Sequence, residues 1–119
     1  MKGININDKE FPFTEWILEG RKTIETRETD SLRSVVGQRV GIIRTGRGKA
    51  TLVGYADITG FVVYGDVGGF RKDYPRHMVH EGSKYDIKPN GIKYGYILEN
   101  VERCDSVPVT AKGIVIRNI

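Results

Sequence analysis

One cysteine, Cys104, is present in 119 residues, so an intrachain disulfide is impossible. No apolar run approaches the roughly 20 residues that a membrane helix needs. The N-terminal segment MKGININDKEF has no apolar stretch resembling a secretory signal. These absences predict a cytoplasmic protein with no membrane association. Histidine is also scarce. His77 and His80 lie three apart, near Glu81, but zinc requires more ligands in a defined geometry and Cys104 is remote. No metal and no cofactor is expected, and either histidine is left as a surface residue or an acid–base group. Cys104 reads as an inert thiol, with no nucleophile motif beside it.

Glycine, in contrast, is abundant. Fifteen glycines against four prolines imply frequent turns and short elements. The length suits one domain, residues 1–119, with a true hydrophobic core. The formal net charge is +4, and its distribution is uneven. From Arg21 to Lys49 there are eight basic residues against three acidic ones, a bias that would attract a polyanion.

Periodicity orders the elements. Lys2 to Ile6 reads as a first strand with Ile4 and Ile6 inward. Phe11 to Gly20 reads as a helix: Pro12 suits its first turn, Phe13, Trp16 and Ile17 share a face, and Gly20 closes it. Trp16 is expected to anchor that helix. Asp30-Ser31 precedes a brief turn carrying Leu32 and Val35. Strands follow at Arg39–Thr45 and Ala50–Thr59, around the turn Gly46-Arg47-Gly48, with Phe61–Tyr64 as an extension or a separate strand. Val67–Pro89 is the least regular part. A short helix is expected near Tyr74–His80, and Val67-Gly68-Gly69-Phe70 reads as a loop or mobile lid. Lys93–Glu102 alternates as a strand, and Gly113–Ile119 closes the chain. Helix–strand pairs do not repeat, which disfavours a doubly wound sheet. The pattern predicts an α+β, mainly β fold: a small, partly closed mixed β-barrel with one or two packed helices.

The segment Gly20-Arg21-Lys22-Thr23-Ile24-Glu25-Thr26-Arg27 carries the strongest functional signal. In an extended strand Thr23, Glu25 and Arg27 share one side, while Ile24 and Thr26 take the other. Glu25 is placed to orient Arg27, to accept from a base, or to act as a general base. Arg27 offers a forked contact to phosphate or carboxylate. Lys22 sits at the helix–strand junction as a mobile cation, or as a base or nucleophile if a dry pocket lowers its pKa. Each has a plainer reading, as a solvated or paired surface charge. Thr23 offers a hydroxyl, while Thr26 is an ordinary strand residue. Arg44, Arg47 and Lys49 flank a turn, either against a nucleic-acid backbone or as a solvated hairpin tip. The spacing of its glycines is not that of a Walker loop. Phe61, Tyr64, Phe70 and Tyr74 interleave with Arg71, Lys72 and Arg76, a mixture that stacks bases and holds phosphates. Phe61 is assigned to the core, and Tyr64 or Tyr74 to a cleft.

In that helix–strand context Gly20, Lys22, Glu25 and Arg27 match the Gly-x-Lys-x-x-Glu-x-Arg signature of the ASCH family, a branch of the PUA-like fold. Gly37–Ile42, Ala50–Ile58, Tyr94–Val101 and Ser106–Val109 resemble the segments that follow it in order, so most of the chain is covered. The resemblance implies a compact barrel with a cleft beside the first helix and its following strand, and a ligand that is RNA, a nucleotide or a nucleoside. Some members are similar to small amidohydrolases that remove an acyl group from a modified cytidine, using a lysine, a threonine and a downstream glutamate. Lys22 matches the lysine, Glu25 occupies the threonine's place, and Glu81 is the positional candidate for the glutamate. Three functions follow as alternatives: an RNA- or nucleotide-binding module, which is preferred; a hydrolase using Lys22 and Glu25 on a modified nucleoside or on RNA; and a protein-interaction domain without catalysis.

Overall fold

The computed structural model describes residues 1–119. Six strands form one mixed sheet: β1 (Lys2–Asn7), β2 (Ile24–Arg27), β3 (Arg39–Thr45), β4 (Thr51–Tyr64), β5 (Lys93–Pro108) and β6 (Ile116–Asn118). Their order is β2-β5-β4-β3-β1-β6. Only β1 and β3 run parallel, with Ile4 opposite Ile42. Hairpin connections make the β3–β4 pair antiparallel, and β5 returns beside β4. Register shifts at Leu52/Gly54, Tyr55/Asp57 and Ile58/Gly60 interrupt the long β4–β5 ladder. Such bulges bend and twist a sheet.

The strands do not form the partly closed barrel expected from the sequence. The sheet does not close: β2 and β6 are its edges, and no ladder joins them. Instead, a side chain spans from β2 to β1, where Arg27 Nη2 donates to the Asn5 carbonyl at 2.5 Å. Charged side chains occupy the seam where backbone pairing would be needed.

Helix α1 (Phe13–Leu18) is shorter than its apolar pattern suggested. Its start is fixed from the end of β1, since the Asp8 carboxylate accepts from the Thr14 backbone N–H at 3.0 Å and also from the Thr14 hydroxyl. Its end is a Schellman turn: Gly20 has φ +79°, Gly20 N donates to Ile17 O and Arg21 N to Trp16 O. Phe13 and Ile17 enter the main core with Ile4, Ile6, Val40, Ile42, Ile58, Tyr96 and Leu98. Trp16 is half-buried against that core. Leu32 and Val35 are fully buried around the 3₁₀ turn Arg33–Val35. Strand β4 runs on through Gly60, and Phe61 packs at the core's edge, 5.8 Å from the Tyr94 ring and 5.4 Å from Tyr96.

The segment read as a loop contains helix α2 (Val67–Lys72). Two glycines weaken helical propensity and hid it. The cap is Asp66, whose carboxylate accepts from Gly69 N at 2.6 Å. Phe70 is fully buried in a second apolar cluster with Tyr64, Val79 and Ile87. Helix α3 (Tyr74–His77) ends early because Met78 adopts a left-handed conformation, φ +56°.

Gly54 marks how closely α1 approaches the sheet. A Cβ there would lie 2.5 Å from both the Glu102 carbonyl oxygen and Leu18 Cδ2. Gly54→Ala is expected to lose about 1–3 kcal/mol in urea unfolding; unchanged stability would contradict this packing.

Candidate functional site

The Schellman turn delivers Lys22 inward. Arg21 N and Lys22 N both donate to Trp16 O, at 2.9 and 3.0 Å. The Lys22 side chain is 1% exposed, which fits the dry-pocket alternative for it and not the mobile cation. Its ammonium donates to the His77 carbonyl, lies 3.7 Å from Glu25 Oε1 and sits 4.8 Å from the centre of the Phe13 ring. Burial lowers its proton affinity most. The Glu25 carboxylate partly opposes this, Arg27 and Lys93 add to it, and the pKa falls from 10.5 to about 8.

His77 serves this placement structurally. Val79 N donates to its Nδ1 at 2.9 Å, which makes Nε2 the protonated nitrogen, 2.6 Å from the Phe70 carbonyl. The ring stacks on Phe70 at 4.0 Å, and burial keeps the imidazole below its ordinary pKa. The left-handed Met78 follows directly, at the point where the chain turns out of α3.

Glu25 and Arg27 come from the edge strand β2, opposite Tyr96 and Tyr94 of β5. Glu25 Oε2 lies 3.0 Å from Arg27 Nη2, so one largely buried carboxylate stands between two cations. Thr23 is half-buried and acts through its backbone: its N–H donates to Arg76 O at 2.8 Å and its carbonyl accepts from Leu98 N at 2.9 Å.

Lys22, Glu25 and Arg27 face one cleft of about 400 Å³ at the open seam. Asn5, Ile6 and Asn7 of β1 form one wall, and Thr26 and Glu28 extend the other. Phe13, Val79, Lys84, Tyr85 and Lys93 also line it. Four cationic side chains, Lys22, Arg27, Lys84 and Lys93, face two carboxylates, Glu25 and Glu28. The volume lies in the range of small-molecule sites.

The other residues singled out in the sequence lie elsewhere. Arg47 Nε donates to the Asp8 carbonyl at 2.7 Å, tying the hairpin to the end of β1. Arg44 is half-buried on β3 opposite Ile6, with Nε buried and unpartnered. Neither lines the cleft. Tyr64 is buried and donates to Asp73 Oδ2 at 2.5 Å, a contact that together with burial pushes its pKa up. Tyr74 lines a second depression of about 350 Å³ with Arg71, Val79, His80 and Glu81. Glu81 is exposed and pairs with Arg71 at 2.6 Å, outside the cleft. His80 packs edge-on against Phe11, 4.9 Å away. Cys104 is half-buried, and burial pushes its thiol pKa up. Asn5, Tyr85 and Lys93 were missed by sequence reasoning. A polar Asn5 between two core isoleucines was the one visible signal. Its Nδ2 donates to the Gly113 and Ile114 carbonyls at 2.9 and 2.8 Å, and so it holds the C-terminal segment against β1.

An open, bent mixed sheet with α1 packed on it and a charged cleft at its seam defines a PUA-like domain. The ASCH domain family model matches residues 10–105, and the chain belongs to that family. Its fold is similar to that of ASCH from Zymomonas mobilis, with TM-score 0.68, 19% identity, and coverage of 91% of this chain and 73% of that one. A serine-to-alanine mutant of the Zymomonas mobilis protein gives TM-score 0.72 at 21% identity, covering 90% of this chain and 72% of that chain. A tyrosine-to-phenylalanine mutant of the same protein gives 0.72 at 21% identity, covering 91% and 75%. At this identity the likeness concerns the fold. Among curated proteins, none matches the chain.

The buried lysine makes stability depend on pH. Below about pH 8 Lys22 is protonated whether folded or unfolded, and the cost of burying its charge is fully felt. Between about 8 and 10.5 the unfolded chain holds the proton more tightly, so stability rises with pH. Measured against Lys22→Met, which cannot titrate, the wild type should gain about 3 kcal/mol across that window. A flat difference would show that Lys22 is solvated.

Proposed function

We propose that the cleft binds a nucleotide unit of RNA. The observation that carries this reading is the Lys22–Glu25–Arg27 cluster, largely buried and facing a cavity of nucleoside size. Glu25 accepts from the amino or imino donors of a base, as a carboxylate does in base readout. Arg27 and Lys22 supply charged donors to the oxygens of the base, sugar or phosphate. The apolar face of Phe13 and the Tyr85 ring give the base a surface to pack on.

A second reading, hydrolysis of an acyl group from a modified nucleoside, is favoured by one observation. The Lys22 ammonium, its pKa drawn down to about 8 by burial, sits 3.7 Å from a carboxylate within the cleft. In that reaction Glu25 takes a proton from water as the water attacks the amide carbon, protonated Lys22 stabilises the oxyanion that forms, and the C–N bond breaks as Glu25 returns the proton to the leaving amine. Glu81 takes no part, because it lies outside the cleft.

Incubation with modified nucleosides and short RNAs, read by mass spectrometry and by binding, separates the two. RNA affinity should fall roughly tenfold or more in Lys22→Ala and in Arg27→Ala, with the fold kept and no product formed. Normal binding by both folded variants would remove the cleft from the account. A product that disappears in Lys22→Ala and Glu25→Gln would establish the hydrolase.

A further inference from the structure

Lys93 opens β5, where its backbone is paired with Tyr64 and its side chain is only 4% exposed. It lines the cleft, where its ammonium, bound to no group of the protein, stays open to solvent. The carboxylates of Glu28, Glu25 and Asp86 favour its charge from a distance, while burial, the larger influence, opposes it. Two polar atoms of the cleft lining, unlike the Lys93 ammonium, are shut away from water with no hydrogen-bond partner: the Tyr85 hydroxyl and Arg27 Nε. The remaining unpartnered buried atoms, Ser83 Oγ and Arg44 Nε, belong to residues outside the lining. All three groups in the cleft can donate hydrogen bonds, and two carry positive charge. Donors left unpaired in a partly dry site need an acceptor from outside, and a phosphate supplies several oxygens and a negative charge together.

We infer that Lys93, with the Tyr85 hydroxyl and Arg27 Nε, forms a phosphate-binding part of the cleft, so that the ligand is phosphorylated rather than a free nucleoside. This deepens the proposed function and rests on it for the nucleoside portion; the anion site itself does not. The phosphate belongs either to a terminal monoester or to an internal phosphodiester of a chain. Glu25 and Lys22 then face the base and sugar, and Lys93 decides whether a phosphate must accompany them.

The test is a titration at fixed salt with inorganic phosphate, cytidine, cytidine 5′-monophosphate and the dinucleotide CpC. Amide NMR shifts would be followed in the wild type, in Lys93→Met, which keeps the length and packing of the side chain, and in Tyr85→Phe, which removes one oxygen only. The monophosphate should bind the wild type at least tenfold more tightly than cytidine. That advantage should fall below threefold in Lys93→Met and shrink in Tyr85→Phe. CpC binding as tightly as the monophosphate identifies the internal diester; weaker binding identifies the terminal group. Inorganic phosphate that binds only when Lys93 is present, with no cytidine compound bound beyond it, keeps the anion site and overturns the nucleotide reading. Equal wild-type affinity for cytidine and its monophosphate, an advantage that survives both substitutions, or no binding of any probe overturns the inference.

Discussion

Glu25 is the residue on which the site depends. Its carboxylate stands 3.7 Å from the Lys22 ammonium and 3.0 Å from the Arg27 guanidinium, at an edge strand rather than on open surface. Charges withdrawn from water must be compensated, and removing one partner of such a set leaves the others uncompensated. Glu25 therefore allows two cations to stay inside the molecule, facing a cavity. The same cluster explains the open sheet. Arg27 bridges from β2 to the Asn5 carbonyl of β1, so a polar side chain spans a gap that backbone hydrogen bonds do not.

The α2–α3 segment supports this cluster from behind. Phe70 fills the second apolar cluster, His77 stacks on it, and the His77 carbonyl receives the Lys22 ammonium. Each ring nitrogen of His77 is engaged by backbone, which fixes both tautomer and orientation. The irregular, glycine-rich middle of the chain thus builds the floor beneath Lys22. Val79, which follows that segment, lines the cleft together with the β2 edge and the start of β5.

Local pattern revealed much of this fold. Isoleucines at Ile4 and Ile6, the Phe13–Ile17 spacing, Gly20 as a helix stop and the alternation of Tyr94, Tyr96 and Leu98 each marked an element that the structure contains. What failed was information that lives between distant segments. Lys22 read equally as a mobile cation or as a group in a dry pocket, because nothing near it in sequence shows that the His77 carbonyl receives it. Helix α2 was hidden by Gly68 and Gly69, whose low propensity is overridden by the Asp66 cap and by burial of Phe70. The basic stretch from Arg21 to Lys49 read as one field, but its members disperse. Arg39 pairs with Asp57 and Glu102, Arg47 binds a backbone carbonyl, and Arg33 lies over the Phe61 ring. Tyr85 and Lys93 reach the cleft from about 60–70 residues beyond the signature, a juxtaposition that only the assembled sheet creates.

The most direct measurement is a map of where a short single-stranded RNA touches the protein, from amide and side-chain NMR shifts during titration. The largest changes should fall on Lys22, Glu25, Arg27, Tyr85 and Lys93, with Asn5 across the seam. Changes confined to the Arg44–Lys49 hairpin or to the depression around Tyr74 and His80, with the seam unperturbed, would contradict it.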